Sequence, residues 1–290
     1  LLEKVAHGTE DRRNASHWFV EAAAVWSTTL RDERRAEAAL REAIRTDPWN
    51  ERAAERLAQT LDGAGRHDAV LVALEKRAMV CASRIGEVPN GSERLAAMWV
   101  ELGRRWSAGQ GGRVDRALVS YERAFSLDPK NLDAIRGVRA MHLRAGRWPE
   151  VIATFEKERM LLRDRSEQIT SLREEASVRK TAGDRAGMVQ ALRLAHLLDE
   201  DDLDLAEDLA NSILARITGG DVVSREERAE AALLFVSLAE TYDGEIALSH
   251  ALNALRANPS EDGAIGLAGK LAASMHHEAM MVPFWVAYLG

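Results

Sequence analysis

The sequence predicts an all-α protein built as a solenoid of antiparallel helix pairs, with about 14–16 helices. Three observations carry this reading. Ala, Leu, Arg and Glu dominate a chain that is 46% hydrophobic, 29% charged and only 5% aromatic, so strong helix formers prevail over the β-branched and aromatic clusters that mark strands. A set of residues returns at an offset of 81. Apolar residues three and four apart form stripes that stop at Asp-Pro or at Gly.

The offset shows first in Asp47-Pro48-Trp49-Asn50, which returns as Asp128-Pro129-Lys130-Asn131. Held in that register, Ala36, Leu40 and Ala43 fall on Ala117, Tyr121 and Ala124; Gly65-Arg66 falls on Gly146-Arg147; Val70, Leu74 and Met79 fall on Val151, Phe155 and Met160. Upstream, Trp18 falls on Trp99, while Trp26 lies one residue off its match. Looser copies follow. Met188, Leu192, Ala195 and Leu198-Asp199-Glu200 form one, and Ala247, Ala251, Ala254 and Asn258-Pro259 another. This gives four units of about four helices each, near 15–91, 92–165, 166–223 and 224–290, with the third shortened, in a single array over 1–290.

The segment 113–127 shows the internal logic. Val114, Ala117, Leu118, Tyr121, Ala124 and Phe125 form one helical stripe, and Asp128-Pro129 stops it, because Pro129 has no N–H and disfavours helical geometry at the residue before it. A new stripe runs through Leu132, Ile135, Val138 and Met141 and ends at Gly146, which suits a left-handed C-cap. Ser224 and Glu227 have capping-box spacing ahead of the run from Ala229 to Ala239.

These residues resemble the tetratricopeptide repeat family, whose unit is about 34 residues. Trp99, Leu102, Gly103 and Trp106 fit that family's first helix, and Ala117, Tyr121, Ala124 and Pro129 fit its second; Ala36, Leu40, Ala43 and Pro48, and Ala247, Ala254 and Pro259, give further second helices. The resemblance runs over about residues 15 to 275 and is loose outside two repeats: Glu158 stands where Ala is expected, and Gly109-Gln110-Gly111-Gly112 carries a two-residue insertion. It implies a right-handed superhelix, degenerate in the manner of large bacterial repeat proteins, with a concave groove lined by the first helix of each pair. Trp18, Trp99 and Trp106 are then packing residues.

The resemblance further implies a scaffold or adaptor that binds a peptide or protein. The concave face would carry Arg52, Glu55, Gln59, Arg104, Arg136, Ala140, Arg144, Arg173, Ser177 and Lys180. That face is more basic than the chain as a whole, which points to an acidic partner. The family's Lys-Asn-Arg clamp for a peptide C-terminus is not reproduced, since no Asn occupies the matching positions. A regulatory or sensor module controlling an attached domain is the alternative, and an enzyme on a helical-repeat frame a lesser one.

A net charge of -7 argues against nucleic acid as the partner. One cysteine, Cys81, allows no internal disulfide and is too few for a cysteine-based zinc site. No apolar run reaches the length of about 18 residues that spans a bilayer. The chain starts in what reads as mid-helix without Met, so the expectation is a fragment of a longer, cytoplasmic chain, with a periplasmic one left open because a leader could have preceded it.

No catalytic, metal or cofactor site is expected. Gly109-Gln110-Gly111-Gly112 lacks the Lys-Ser/Thr and preceding strand of a phosphate loop. In Asp199-Glu200-Asp201-Asp202-Leu203-Asp204, Leu203 and Asp204 break calcium-loop spacing, leaving a solvated turn ahead of a helix. His276-His277-Glu278 lacks the spacing of two His four apart, and Cys81 reads as a small buried hydrophobe. The apolar tail, with Met281, Phe284, Trp285 and Tyr288, is expected either to pack under a further repeat or to form a docking surface.

Overall fold

The computed structural model describes residues 1–108 and 113–289, with side chains up to Ala287. Among the described residues are 16 α-helices, two short 3-10 turns and no strand. They group into two compact units, Leu1–Thr154 and Phe155–Gly290.

The first unit holds α1 (Leu2–Gly8), α2 (Arg12–Thr28), α3 (Glu33–Thr46), α4 (Glu51–Gly63), α5 (His67–Ala82), α6 (Gly91–Ala108), α7 (Val114–Leu127) and α8 (Leu132–Arg144); the division falls within α9 (Trp148–Arg159). At the 81-residue offset α3 coincides end to end with α7, and α4 with α8. Successive helices pack as antiparallel hairpins, most extensively α2 on α3 and α6 on α7, and the first helices also meet, α2 with α4 and α6 with α8.

The turn between hairpins is specified by side chains. After α3, Asp47 leaves the helical region (φ -130°), its carboxylate accepts from the Trp49 N–H at 2.9 Å, and Asn50 caps α4 by accepting from the Ala53 N–H at 3.0 Å. After α7, Asp128 (φ -140°) accepts from the Lys130 N–H at 3.1 Å, and Asn131 caps α8 by accepting from Ala134 at 3.0 Å. Each cap satisfies a donor the first turn would leave orphaned. Gly65 and Gly146 end α4 and α8 with φ of +71° and +66°, where a side chain would be strained.

Two clusters make this unit's core. Phe19, Val20, Leu40, Leu57, Leu61 and Val70 join α1–α5, and Leu95, Trp99, Leu102, Trp106, Tyr121 and Met141 join α5–α8. Ala36, Ala43, Ala117 and Ala124 are sealed at the hairpin contacts, where a small side chain sets how closely the helices approach. Trp99 and Trp106 pack as expected, with Arg123 and Arg116 over their rings at 4.6 Å and 4.9 Å. Trp18 is a correction: it is exposed, and Phe19 takes the inward place. The buried positions of α2 and α6 superpose at an offset of 80, which pairs Phe19 with Trp99 and Trp26 with Trp106. The Trp18–Trp99 coincidence is therefore out of register by one residue, or about 100° around the helix.

The second unit holds α10 (Arg165–Thr181), α11 (Arg185–Leu198), α12 (Leu203–Thr218), α13 (Arg225–Thr241), α14 (Gly244–Ala257), α15 (Asp262–Ser274) and α16 (Val282–Leu289). Here α12 passes into α13 with no helix corresponding to α5 or α9. Asp202 caps α12 by accepting from the Leu205 N–H at 3.0 Å, so the acidic run is a capped turn. The Ser224–Glu227 capping box forms at the start of α13. One continuous core carries Leu172, Val189, Leu205, Leu209, Ile213, Phe235, Leu238 and Leu255, each large buried side chain contributing roughly 1.5–3 kcal/mol. Polar burial is answered by pairing. Glu175, nearly sealed, meets Arg159 and also Arg179 at 2.7 Å; Arg216 donates to Glu227 at 2.9 Å and to the Val222 carbonyl at 3.2 Å.

Candidate functional site

In the first unit the predicted residues form exposed stripes on the first helices. Arg52, Glu55 and Gln59 stand at i, i+3 and i+7 of α4, one face of a 3.6-residue period. Arg52 reaches Glu21 of α2 at 3.0 Å, and Gln59 donates to Glu55 at 3.4 Å. Arg136, Ala140 and Arg144 stand at i, i+4 and i+8 of α8 and are all exposed. Arg144 donates to the Ser107 carbonyl at 2.9 Å, and Arg104 of α6 pairs with Asp133 of α8 at 2.9 Å. Such exposed ion pairs contribute only about 0–1 kcal/mol.

Beneath the α6–α8 stripe lies Tyr121, its ring against Gly103 and Gly137. Burial pushes its phenol above the usual range, while a hydrogen bond with Ser107 pulls the other way. Two glycines on facing first helices thus let a second-helix Tyr support the exposed face from below.

In the second unit the structure brings Arg173, Ser177 and Lys180 of α10 together along an open groove of about 640 Å³. Its floor is Ala176, Met188 and Leu192. The opposite wall comes from α12: Asp204, Glu207, Asp208, Asn211 and Ser212. Arg173 meets Asp202 at 3.4 Å, but its Nε is buried with no hydrogen-bond partner. Burial raises the Asp208 carboxyl above its ordinary value, Arg173 opposing and Asp204 and Glu207 adding to the shift. The groove is therefore two-sided, basic on α10 and acidic on α12.

The α12 wall was absent from the sequence expectation, and the repeat register was the signal for it. At an offset of 71, α8 maps onto α12, so Arg136 and Ala140 correspond to Glu207 and Asn211. Asn211 thus stands at the Ala140 position of that register. Carried on to α15, the same positions hold Gly266 and Lys270.

The tail divides. Met281 is fully buried in the second unit's core, which corrects its reading as a docking residue: the 3-10 turn before α16 folds it inward, and Phe284 packs half-buried on the same core. Met280, Val282, Trp285 and Val286 are exposed. Tyr288 and the loop Gly109-Gln110-Gly111-Gly112 lie outside the described residues.

The other candidate chemistry resolves locally. Cys81 is fully buried, its thiol donates to the Pro48 carbonyl at 3.3 Å, and burial pushes its pKa up to about 11. His276 (φ +59°) and His277 lie in the turn after α15, both exposed, rather than on a helix. Among the described residues no group of three or more His, Cys, Asp or Glu side chains could hold a metal ion, and no helix is long and apolar enough to cross a membrane.

No family model matches the chain, and no curated protein matches it. Solved structures do. A tetratricopeptide repeat protein from Parabacteroides merdae is 14% identical, with 89% of this chain and 98% of that one covered and a TM-score of 0.38. YrrB, a TPR protein with an unusual peptide-binding site, is 17% identical, with 71% and 89% covered and a TM-score of 0.34. In the APC/C hetero-tetramer Cut9-Hcn1 the matched chain is 12% identical, with 93% of this chain but only 45% of that one covered and a TM-score of 0.34. The helix-pair repeat architecture described above rests on this chain's own helix boundaries, caps and packing.

Proposed function

We propose that the chain is a protein-interaction scaffold whose first helices receive a peptide or protein segment. The observation that carries the reading is the groove between α10 and α12. Arg173 and Lys180 face Asp204, Glu207 and Asp208 across an apolar floor, with the amide of Asn211 on the same wall as those carboxylates. An extended peptide has the matching features: a backbone that an Asn side chain can pair with, and side chains alternating between opposite walls. An acidic stretch suits α10 and the Arg136–Arg144 face of α8, but the α12 carboxylates would repel a wholly acidic ligand, so a segment of mixed charge fits the groove better. The proposal is of a binding module rather than an enzyme, and with a net charge of -7 it names no nucleic-acid partner.

The test is binding of fluorescent peptides, one alternating Lys and Glu and one all Glu, measured by anisotropy. Arg173→Glu with Lys180→Glu is expected to weaken the mixed peptide by about tenfold or more. Unchanged affinity, or stronger binding of the all-Glu peptide to the parent, would reject the groove.

A further inference from the structure

A second groove in the same unit lies between α11 and α13, and it is built differently. Its walls are apolar: Leu197 of α11 and Leu233 of α13 are 59% and 57% exposed, with Ala229 and Leu234 completing the surface. On α13 the lining runs from Glu226 to Ser237, one face of about three helical turns or roughly 16 Å. Large side chains left this open on neighbouring helices lose apolar burial unless something covers them.

The groove is lined by three carboxylates, Glu200, Glu226 and Glu230, and one titratable base, His196. Glu200 and Glu226 stand at its rim, and no Lys or Arg lines it. Two nearby cations are committed: Arg193 pairs with Glu230 at 2.6 Å and Glu227 at 3.5 Å, and Arg216 pairs with Glu227 at 2.9 Å; Arg225 stands next to Glu226 outside the lining. The flanking helices α11 and α13 bracket α12, the point where the repeat is one helix short of the α4–α5 pattern. A net charge of -7 disfavours a second copy of this chain against an acidic rim.

We propose that this groove docks an amphipathic basic helix from a partner protein. Its apolar stripe lies on Leu197, Leu233 and Leu234, and its flanking Lys or Arg side chains meet Glu200 and Glu226. The partner helix supplies, in trans, the apolar cover that a fourth helix would have given in the short copy. This surface is separate from the α10–α12 groove, so the two readings stand or fall independently.

The probe is a labelled peptide of about 18 residues, long enough to be helical, carrying Leu on one face and Lys on the other, with a Leu/Glu peptide as its counterpart. Leu197→Asp with Leu233→Asp, and separately Glu200→Lys with Glu226→Lys, are each expected to weaken the Leu/Lys peptide by about tenfold or more. Both Leu side chains are exposed, so the fold survives, which far-UV circular dichroism and the urea midpoint verify. Arg173→Glu with Lys180→Glu should leave this binding unchanged. Three results overturn the proposal. The Leu/Lys peptide binds both double variants as it binds the parent; only the charge pair matters, which marks non-specific attraction; or sedimentation shows a dimer that Leu233→Asp dissociates, which assigns the groove to a second copy.

Discussion

The ring of Tyr121 fills the space that Gly137 leaves bare: a Cβ at Gly137 would lie 2.3 Å from the Tyr121 Cδ1. Gly103 approaches the same ring, and a Cβ there would stand 2.9 Å from it. Gly137→Ala gains about 1 kcal/mol of helix propensity, but overpacking against a buried ring costs about 1–3 kcal/mol. Net destabilisation is expected in urea unfolding. Tyr121→Leu should recover part of it when combined with Gly137→Ala, because the two changes share one contact. A Gly137→Ala variant as stable as the parent would sink the account.

Ala117 has no exposed surface and sits at the α6–α7 contact. Ala117→Leu is expected to destabilise by roughly 1–3 kcal/mol, since the extra methylenes must displace sealed neighbours. A melting temperature equal to the parent's would contradict the helix register.

Asn50 and Asn131 occupy the same cap position, yet they differ in reach. Asn131 only accepts from the Ala134 N–H in the contacts described, whereas Asn50 also donates to Ser16 Oγ at 2.8 Å, and Ser16 in turn donates to the Ala43 carbonyl at 2.9 Å. Asn131→Ala should therefore cost about 1 kcal/mol and Asn50→Ala about 1 kcal/mol more. Denaturant midpoints of the two variants check the order, which is the informative outcome.

Burial holds the Cys81 thiol protonated, with a folded pKa of about 11 against an ordinary value of 9.0. A raised folded pKa means the native state binds the proton more tightly. The associated stability is complete below the unfolded value near 9 and is lost as pH rises through the folded value. Native protein at neutral pH should label with a thiol reagent only as fast as it opens, and Cys81→Ala should flatten the fall in stability above pH 9. Fast labelling of the folded protein would contradict the burial.

Much of the architecture was legible in the residues. Asp47-Pro48 and Asp128-Pro129 mark turns through proline's missing N–H, and Gly65 and Gly146 mark helix ends through a backbone that only glycine adopts freely. The binding faces were legible in part. The α12 wall, with Glu207 and Asn211, follows from the repeat register but sits on a weak copy, where Asp199-Glu200 replaces Asp-Pro and hides the alignment. The pairing of Trp18 with Trp99 misled because a one-residue shift preserves residue identity while turning the side chain by about 100°.

The sequence by itself determined the helices, their ends and the repeat, because propensity, capping and proline or glycine geometry act within a few residues of the chain. Only the tertiary structure decided that α12 turns its carboxylates toward Arg173 and Lys180, that Met281 is buried while Trp285 is not, and that Leu197 and Leu233 share an uncovered groove. Those outcomes depend on which helix packs against which. That is set by the summed fit of side chains distant in the sequence, and no local pattern encodes it.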